Sequence, residues 1–269
     1  MKIVHVVADY GAGDLAFSEM ISALARNLPA DWDWHATSVD SFDTIAAGFV
    51  VAQLGMQQES LRAPNTIIYA NSAPRRDRSR PRKNNEGEGL VYGILKNGVP
   101  IVVVNSGYSL SFVREHLTDL WSVKVDKGGS QFRSRDIFPP VVGMVAKEDF
   151  SFKGKKLDPL KVIPEPPKGV IAYVDSFGNL KTTFQEGDKE LAHLAMGHKV
   201  KLEINGVVRV ATVATGSFNV DEGDIAFAPG SSGHGKRFWE IFQRGGSACA
   251  TYQKPRIGST ISISTLISD

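Results

Sequence analysis

The sequence predicts an α/β protein in two parts: an N-terminal α/β domain with a largely parallel sheet over residues 1–148, then a C-terminal β-barrel domain over 169–269. Three observations predict it. β-branched runs alternate with amphipathic helical segments in the first half. A lysine- and proline-rich stretch without clear period, 149–168, then interrupts the pattern and reads as a linker. Beyond it, short strand-like runs follow one another with turn signals between them. A length of 269 residues, long for one domain and short for three, agrees with two.

The first strand is Lys2–Ala8, a β-branched run. Residues 14–28 then place Leu15, Phe17, Met20, Ile21, Leu24 and Leu28 at helical spacing. Residues 41–54 repeat the helical pattern, with Asp40 or Ser41 as N-cap and Gly55 as C-terminal stop. Residues 66–70 and 100–104 read as buried strands, and 109–120 as a third helix. In open parallel sheets ligands sit at the carboxyl ends of strands, where Asp9, Asn71 and Asn105 all fall. In the second half 169–174, 199–204, 207–213, 224–228, 238–243 and 259–264 are strand-like, and Asn205-Gly206 is a two-residue hairpin signal.

Composition excludes several classes. With 42% apolar and 22% charged residues the chain is neither disordered nor collagen-like. A net charge of +2 supplies no whole-protein field for nucleic acid or anionic membrane. Cys249 is the one cysteine, so neither an internal disulfide nor a cysteine-based metal cluster is expected. The histidines are dispersed and no metal is assigned. No apolar run reaches the roughly 20 residues of a membrane helix, and Lys2–Ala8 runs straight into Asp9, too short for a signal-peptide core. A cytoplasmic protein is expected. Phosphate-loop, nucleophile-elbow and zinc-helix motifs are absent. The basic run Arg75 to Lys83 lacks interleaved aromatics for base stacking and reads as a solvated loop, so nucleic acid is not the expected partner.

Four short segments carry sharper signals. Asp9-Tyr10-Gly11 follows the first strand and leads to Asp14 at a helix start, where a helix N-cap is the simplest role. A carboxylate at the position of Asp9 can accept two hydrogen bonds from a vicinal diol such as ribose. The others are Asn71-Ser72-Ala73-Pro74, the run Gln131 to Pro140, and Asp175-Ser176-Phe177-Gly178-Asn179 together with Gly230-Ser231-Ser232-Gly233. In order along the chain, with Glu240-Ile241 and Gly246-Ser247-Ala248, this set resembles the S-adenosylmethionine hydroxide adenosyltransferases and the related fluorinases and chlorinases.

The resemblance implies a homotrimer with a nucleoside site formed between neighbouring subunits, and S-adenosylmethionine as substrate with no separate cofactor. On this analogy Asp9 holds the ribose hydroxyls, while Asp14, Phe42 and Phe132 also belong to the ligand-binding set. Phe177 and Asn179 flank and hydrogen-bond the adenine, and Asp175 takes the methionine ammonium. Ser231 and Ser232 take the methionine carboxylate, and the backbone around Gln243 and Gly245 meets the adenine edge. The implied reaction is displacement at ribose C5′, with water giving adenosine and methionine; a halide nucleophile or a catalytically inactive nucleoside-binding module are the alternatives.

The nucleophile pocket departs from the family pattern. Where the hydrolases resemble one another in an Asp, Arg and His set, this chain has Ala73, Arg80 and Arg133, while Ser134 matches a serine of the halogenating relatives. Arginine stays protonated and is no general base near neutral pH. Arg80, Arg133 and Ser134 form the expected catalytic set, a donor-rich pocket suited to an anionic nucleophile or ligand.

Overall fold

The computed structural model describes residues 2–56, 65–73, 88–125 and 131–266. The chain divides into two units, Met1–Glu165 and Pro166–Asp269, each organised on a seven-stranded sheet with helices.

The first unit runs β1 (Lys2–Ala8), α1 (Leu15–Asn27), β2 (Trp32–Ser38), α2 (Thr44–Met56), β3 (Thr66–Asn71), β4 (Leu90–Leu95) and β5 (Pro100–Val104). A 3₁₀ turn over Ser111–His116 leads to β6 (Leu117–Val123), α3 (Arg133–Asp136), α4 (Phe138–Ala146), β7 (Lys153–Lys156) and α5 (Pro159–Val162). The strand order is β2-β1-β3-β5-β4-β6-β7. β1 pairs in parallel with β2 and β3, and β3 with β5. The pairings β4–β5, β4–β6 and β6–β7 are antiparallel. The sheet is thus mixed rather than largely parallel, because β4 runs antiparallel between β5 and β6 and joins β5 without a helical crossover.

Alternation along the strands divides the apolar residues between two faces. Val4, Val6 and Ala8 of β1, Ile67 and Tyr69 of β3, and Tyr92 and Leu90 of β4 join Phe17, Met20 and Leu24 of α1 and Phe138 and Val142 of α4 in one core. α2 packs on β1 and β3, with Gly55 against Ile68 and Leu95. Gly55 therefore lies inside α2 as a close-packing position and is not the helix stop. The N-cap is Asp43, whose Oδ1 accepts from the Ile45 and Ala46 N–H groups at 3.0 and 2.9 Å, and not Asp40 or Ser41.

Two further expectations are corrected. The helix expected over 109–120 is the 3₁₀ turn followed by β6: Leu110, Val113, Leu117 and Leu120 fit a helical period, but β4 offers Leu117–Val123 a backbone ladder. The stretch 149–168 is not a free linker. β7 pairs with β6, and Lys153 Nζ lies 4.2, 4.4 and 5.0 Å from the rings of Trp121, Phe150 and Tyr92. Arg114 Nη2 donates to Leu160 O at 2.9 Å and pairs with Glu165 at 3.1 Å, fastening the segment as far as the end of the unit.

The second unit contains β8 (Ile171–Val174), β9 (Leu180–Gln185), β10 (Lys199–Ile204), β11 (Val207–Val213), β12 (Ile225–Gly233), β13 (Arg237–Gln243), α6 (Ala248–Thr251) and β14 (Ile261–Thr265). Their order is β14-β10-β11-β12-β13-β9-β8, with β11–β12 the parallel pair. Asn205 and Gly206, at φ of 52° and 79°, make the tight turn between β10 and β11. The sheet curls into a half-barrel rather than a closed barrel. Its edge strands meet at one end through the bridge Val170↔Thr260, flanked by Ile171 N–H to Ser259 O at 3.0 Å and Ile261 N–H to Gly169 O at 2.8 Å. Its core gathers Ile171, Leu180, Leu202, Phe227, Trp239, Ile241 and Tyr252. Among the described residues no helix is long and apolar enough to cross a membrane.

Candidate functional site

The parallel strands of the first unit end at an edge where polar groups collect. Asp9 follows β1, and its Oδ2 accepts from the Phe42 N–H at 2.9 Å. Phe42 is held at φ 67°, a conformation costly for a bulky side chain, and its ring is 54% exposed. The loop after β2 is thereby drawn to the carboxylate with an aromatic ring presented to solvent.

On the face of the sheet covered by α1 and α4, Tyr10 Oη donates to Ser134 Oγ at 3.0 Å, and its ring meets Phe132 edge-on at 6.2 Å. α4 runs back against the sheet: Gly143 is pressed on the carbonyl of Asn27 at the far end of α1, so α3 and the start of α4 stand over the carboxyl edge. Arg133 lies 5.6 Å from the Phe138 ring, with Nε buried and without a hydrogen-bond partner among the described residues. Arg135 is occupied by Asp136 at 2.6 Å and Glu19 at 3.3 Å. Asp14 caps α1 through the Ala16 N–H at 2.7 Å, the local role its position suggests.

Sequence reasoning missed a buried polar group in this unit. Ser106 Oγ donates to Ser72 O, and Ser72 Oγ, in a residue 1% exposed, has no partner among the described residues. Glu88, at the head of β4, is 7% exposed, and its Oε1 also lacks a partner among them. In the sequence Glu88 sits in a polar, glycine-rich stretch that reads as loop; the signal that identifies it is the apolar run Leu90–Leu95 immediately after it.

The second unit organises its own set. Asp175 Oδ1 accepts from the N–H groups of Phe177 and Asn179, both at 3.0 Å, and Oδ2 accepts from Asn179 Nδ2 at 2.9 Å. The tight loop leaves Phe177 78% exposed. Gly178, at φ 79°, lies directly on the Ser247 side chain, and its carbonyl accepts the Cys249 N–H at 2.8 Å. Lys181 Nζ bridges Asp175 Oδ2 at 3.8 Å and Glu240 Oε2 at 2.8 Å. Glu240 lies across Gly230, where any side chain would collide with it, and its Oε1 accepts from Ser232 Oγ at 3.4 Å. Ser232 therefore faces inward, while Ser231 is exposed. Gln243 is held by Gly223 O at 3.0 Å and Thr251 Oγ1 at 2.6 Å, and Gly245, at φ 69°, packs on Glu222.

Asp9, Phe42, Phe132, Arg133 and Ser134 thus share one edge of the first unit, while in the second the loop of Asp175, Phe177 and Asn179 is linked through Lys181 and Glu240 to the end of β12 that carries Ser231 and Ser232. Arg80 and the Arg75 to Lys83 run lie outside the described residues. Burial pushes the Cys249 thiol up, which argues against a thiolate nucleophile. Among the described residues no cluster of His, Cys, Asp or Glu could hold a metal ion.

No protein-family model matches the sequence, and no curated protein matches it. Solved structures similar in fold include two of uncharacterized proteins. One, an uncharacterized conserved protein from Thermotoga maritima, superposes with a TM-score of 0.74 at 20% identity, over 97% of this chain and 99% of that one. The other, a conserved hypothetical protein from Thermus thermophilus, gives 0.69 at 17% identity, over 99% of this chain and 100% of that one. At these identities the likeness establishes that the whole chain shares an α/β fold with both proteins.

Proposed function

We propose that this protein is an adenosyl-transferring enzyme that displaces methionine from ribose C5′ of S-adenosylmethionine, with water as nucleophile. The observation that carries the reading is the pairing of Asp9 with Phe42: a carboxylate at the end of β1 beside an exposed aromatic ring held in a strained backbone. Carboxylate oxygens suit a ribose diol, and an aromatic face suits the apolar side of a nucleoside. The exposed Phe177 and the hydroxyl of the exposed Ser231 offer a second aromatic and polar set in the other unit, while Ser232, expected in that set, is turned inward to Glu240. Homotrimer formation goes with this reading, the two sets being supplied to one ligand by different copies.

The sulfonium departs as neutral methionine and needs no acid, so the protein's task is to align C5′ and prepare the nucleophile. Ser134 favours one second reading. Its oxygen accepts from Tyr10 Oη, which leaves its own hydroxyl hydrogen to donate, as a halide nucleophile requires.

Incubation with S-adenosylmethionine, with and without chloride, followed by chromatography tests both. Adenosine and methionine are expected; a 5′-chlorinated nucleoside supports the halide reading, and bound but unchanged ligand supports a binding module. Calorimetry of Asp9→Ala is expected to show nucleoside binding weakened by about 1.5–3 kcal/mol, and an unchanged dissociation constant rejects the ribose role.

A further inference from the structure

Water attacking C5′ has to lose a proton, and a side chain must receive it. Arg133 is unsuited, and the hydroxyls of Tyr10, Ser72, Ser106 and Ser134 are weak bases near neutral pH. Asp9 is engaged with the Phe42 backbone. Among the described residues Asp14 and Asp43 are committed as helix caps and Asp40 is exposed, which leaves Glu88 as the buried acid–base group at this edge with an unpaired oxygen.

Strand register puts Glu88 there. The β4–β5 ladder, which pairs Leu90 with Val104, continues by one bond from Asn105 N–H to Gly89 O at 2.8 Å, so the next residue, Glu88, comes level with Ser106. Across β5, extending the pairing of Ala70 with Val103 brings Ala73 to the same level. Alternation from Tyr92 and Leu90, both in the core under α1 and α4, directs Glu88 to the face where Tyr10 and Ala73 pack. Ser134 is bound to Tyr10 on that face, and Arg133 precedes it.

Two complementary groups are left unsatisfied at this edge. Among the described residues Glu88 Oε1 is a buried acceptor without a donor, and Arg133 Nε is a buried donor without an acceptor. An unpaired buried polar atom is costly, and a water that donates to the first while accepting from the second satisfies both.

We propose that Glu88 is the general base of the hydrolytic reaction, an assignment that rests on the hydrolytic reading above. In the step, a water lone pair forms the O–C5′ bond as the C5′–S bond breaks. The bonding pair leaves with sulfur as the thioether of methionine, and the proton released from water passes to the Glu88 carboxylate. Arg133 Nε–H holds the water oxygen and takes no proton.

The test uses the full chain with S-adenosylmethionine, following turnover, KM and, by calorimetry, adenosine binding. Glu88→Gln is expected to lower kcat by about 10²–10⁴-fold, with KM and the adenosine dissociation constant held within about twofold. In Glu88→Ala, added formate is expected to restore part of the lost rate, which a purely structural role does not predict. Wild-type turnover in Glu88→Gln overturns the assignment and leaves the enzyme reading standing. Loss of adenosine binding together with turnover in Glu88→Gln also overturns it, by making the residue structural. A wild-type protein that binds adenosine but yields no adenosine from S-adenosylmethionine overturns the hydrolytic reading and the assignment together.

Discussion

Each unit buries a glutamate, and the two are treated in opposite ways. Glu240 is 1% exposed and answered on both oxygens, by Lys181 at 2.8 Å and Ser232 at 3.4 Å. Glu88 is buried almost as deeply, yet its Oε1 has no donor among the described residues. Desolvation penalises both; in the second unit the protein itself supplies the compensating charge, whereas in the first the described residues do not. A satisfied buried carboxylate organises structure, here by tying the Gly230–Gly233 end of β12 to the Asp175 loop through Lys181. An unsatisfied one is kept at a stability cost that a function must justify.

Substitutions separate the two cases. The largest effect is expected for Glu240→Ala, which leaves Lys181, with a side chain only 13% exposed, the 3.8 Å pairing with Asp175 alone: about 3 kcal/mol of destabilisation in urea unfolding. Combining Glu240→Leu with Lys181→Met is expected to cost less than the sum of the single changes, because no lone charge remains. Glu88→Met should act in the other direction, raising stability by about 1–3 kcal/mol by removing an unpaired buried acceptor at similar volume. Equal losses at both sites would erase the contrast.

The smallest effect concerns His5, set across β1–β2 from His35 with ring centroids 6.4 Å apart. Burial first, and His35 second, lower the His5 pKa below its ordinary 6.5. The unfolded chain therefore takes up this proton before the folded one does. The contribution to stability is complete above pH 6.5 and declines as the pH falls from there toward the folded-state pKa. Thermal midpoints measured on acidification should fall less in His5→Phe than in the wild type; parallel curves would show that His5 carries none of the dependence.

What the sequence reveals depends on how local each signal is. β10 is plain in Lys199–Ile204 because every second residue is buried, and Asn205-Gly206 marks its turn. β4 is hidden because Leu90–Leu95 is apolar almost throughout, buried on both faces, and follows a polar glycine-rich stretch. Once β4 is missed, the antiparallel half of the first sheet is missed with it, and Glu88 reads as a loop residue. β6 is misread because leucines and valine at helical intervals also suit a 3₁₀ turn running into a strand. Asp9, Phe42 and Ser134 can be picked out through ordered motifs, but the partnership of Glu240 with Lys181 spans 59 positions and leaves no local trace.

The bridge between Val170 and Thr260 joins the opening and closing segments of the second unit. During synthesis on the ribosome, β8 to β13 can emerge and pair in sequence, but the half-barrel's rim cannot close until β14 has cleared the exit tunnel. Until then the flank of β10 that β14 will occupy is open, and its paired position Leu202↔Ile263 is still unmade. That nascent edge is a place for a chaperone to bind or for a neighbouring chain to pair wrongly. The last strand to be made thus governs how long the half-finished unit is vulnerable.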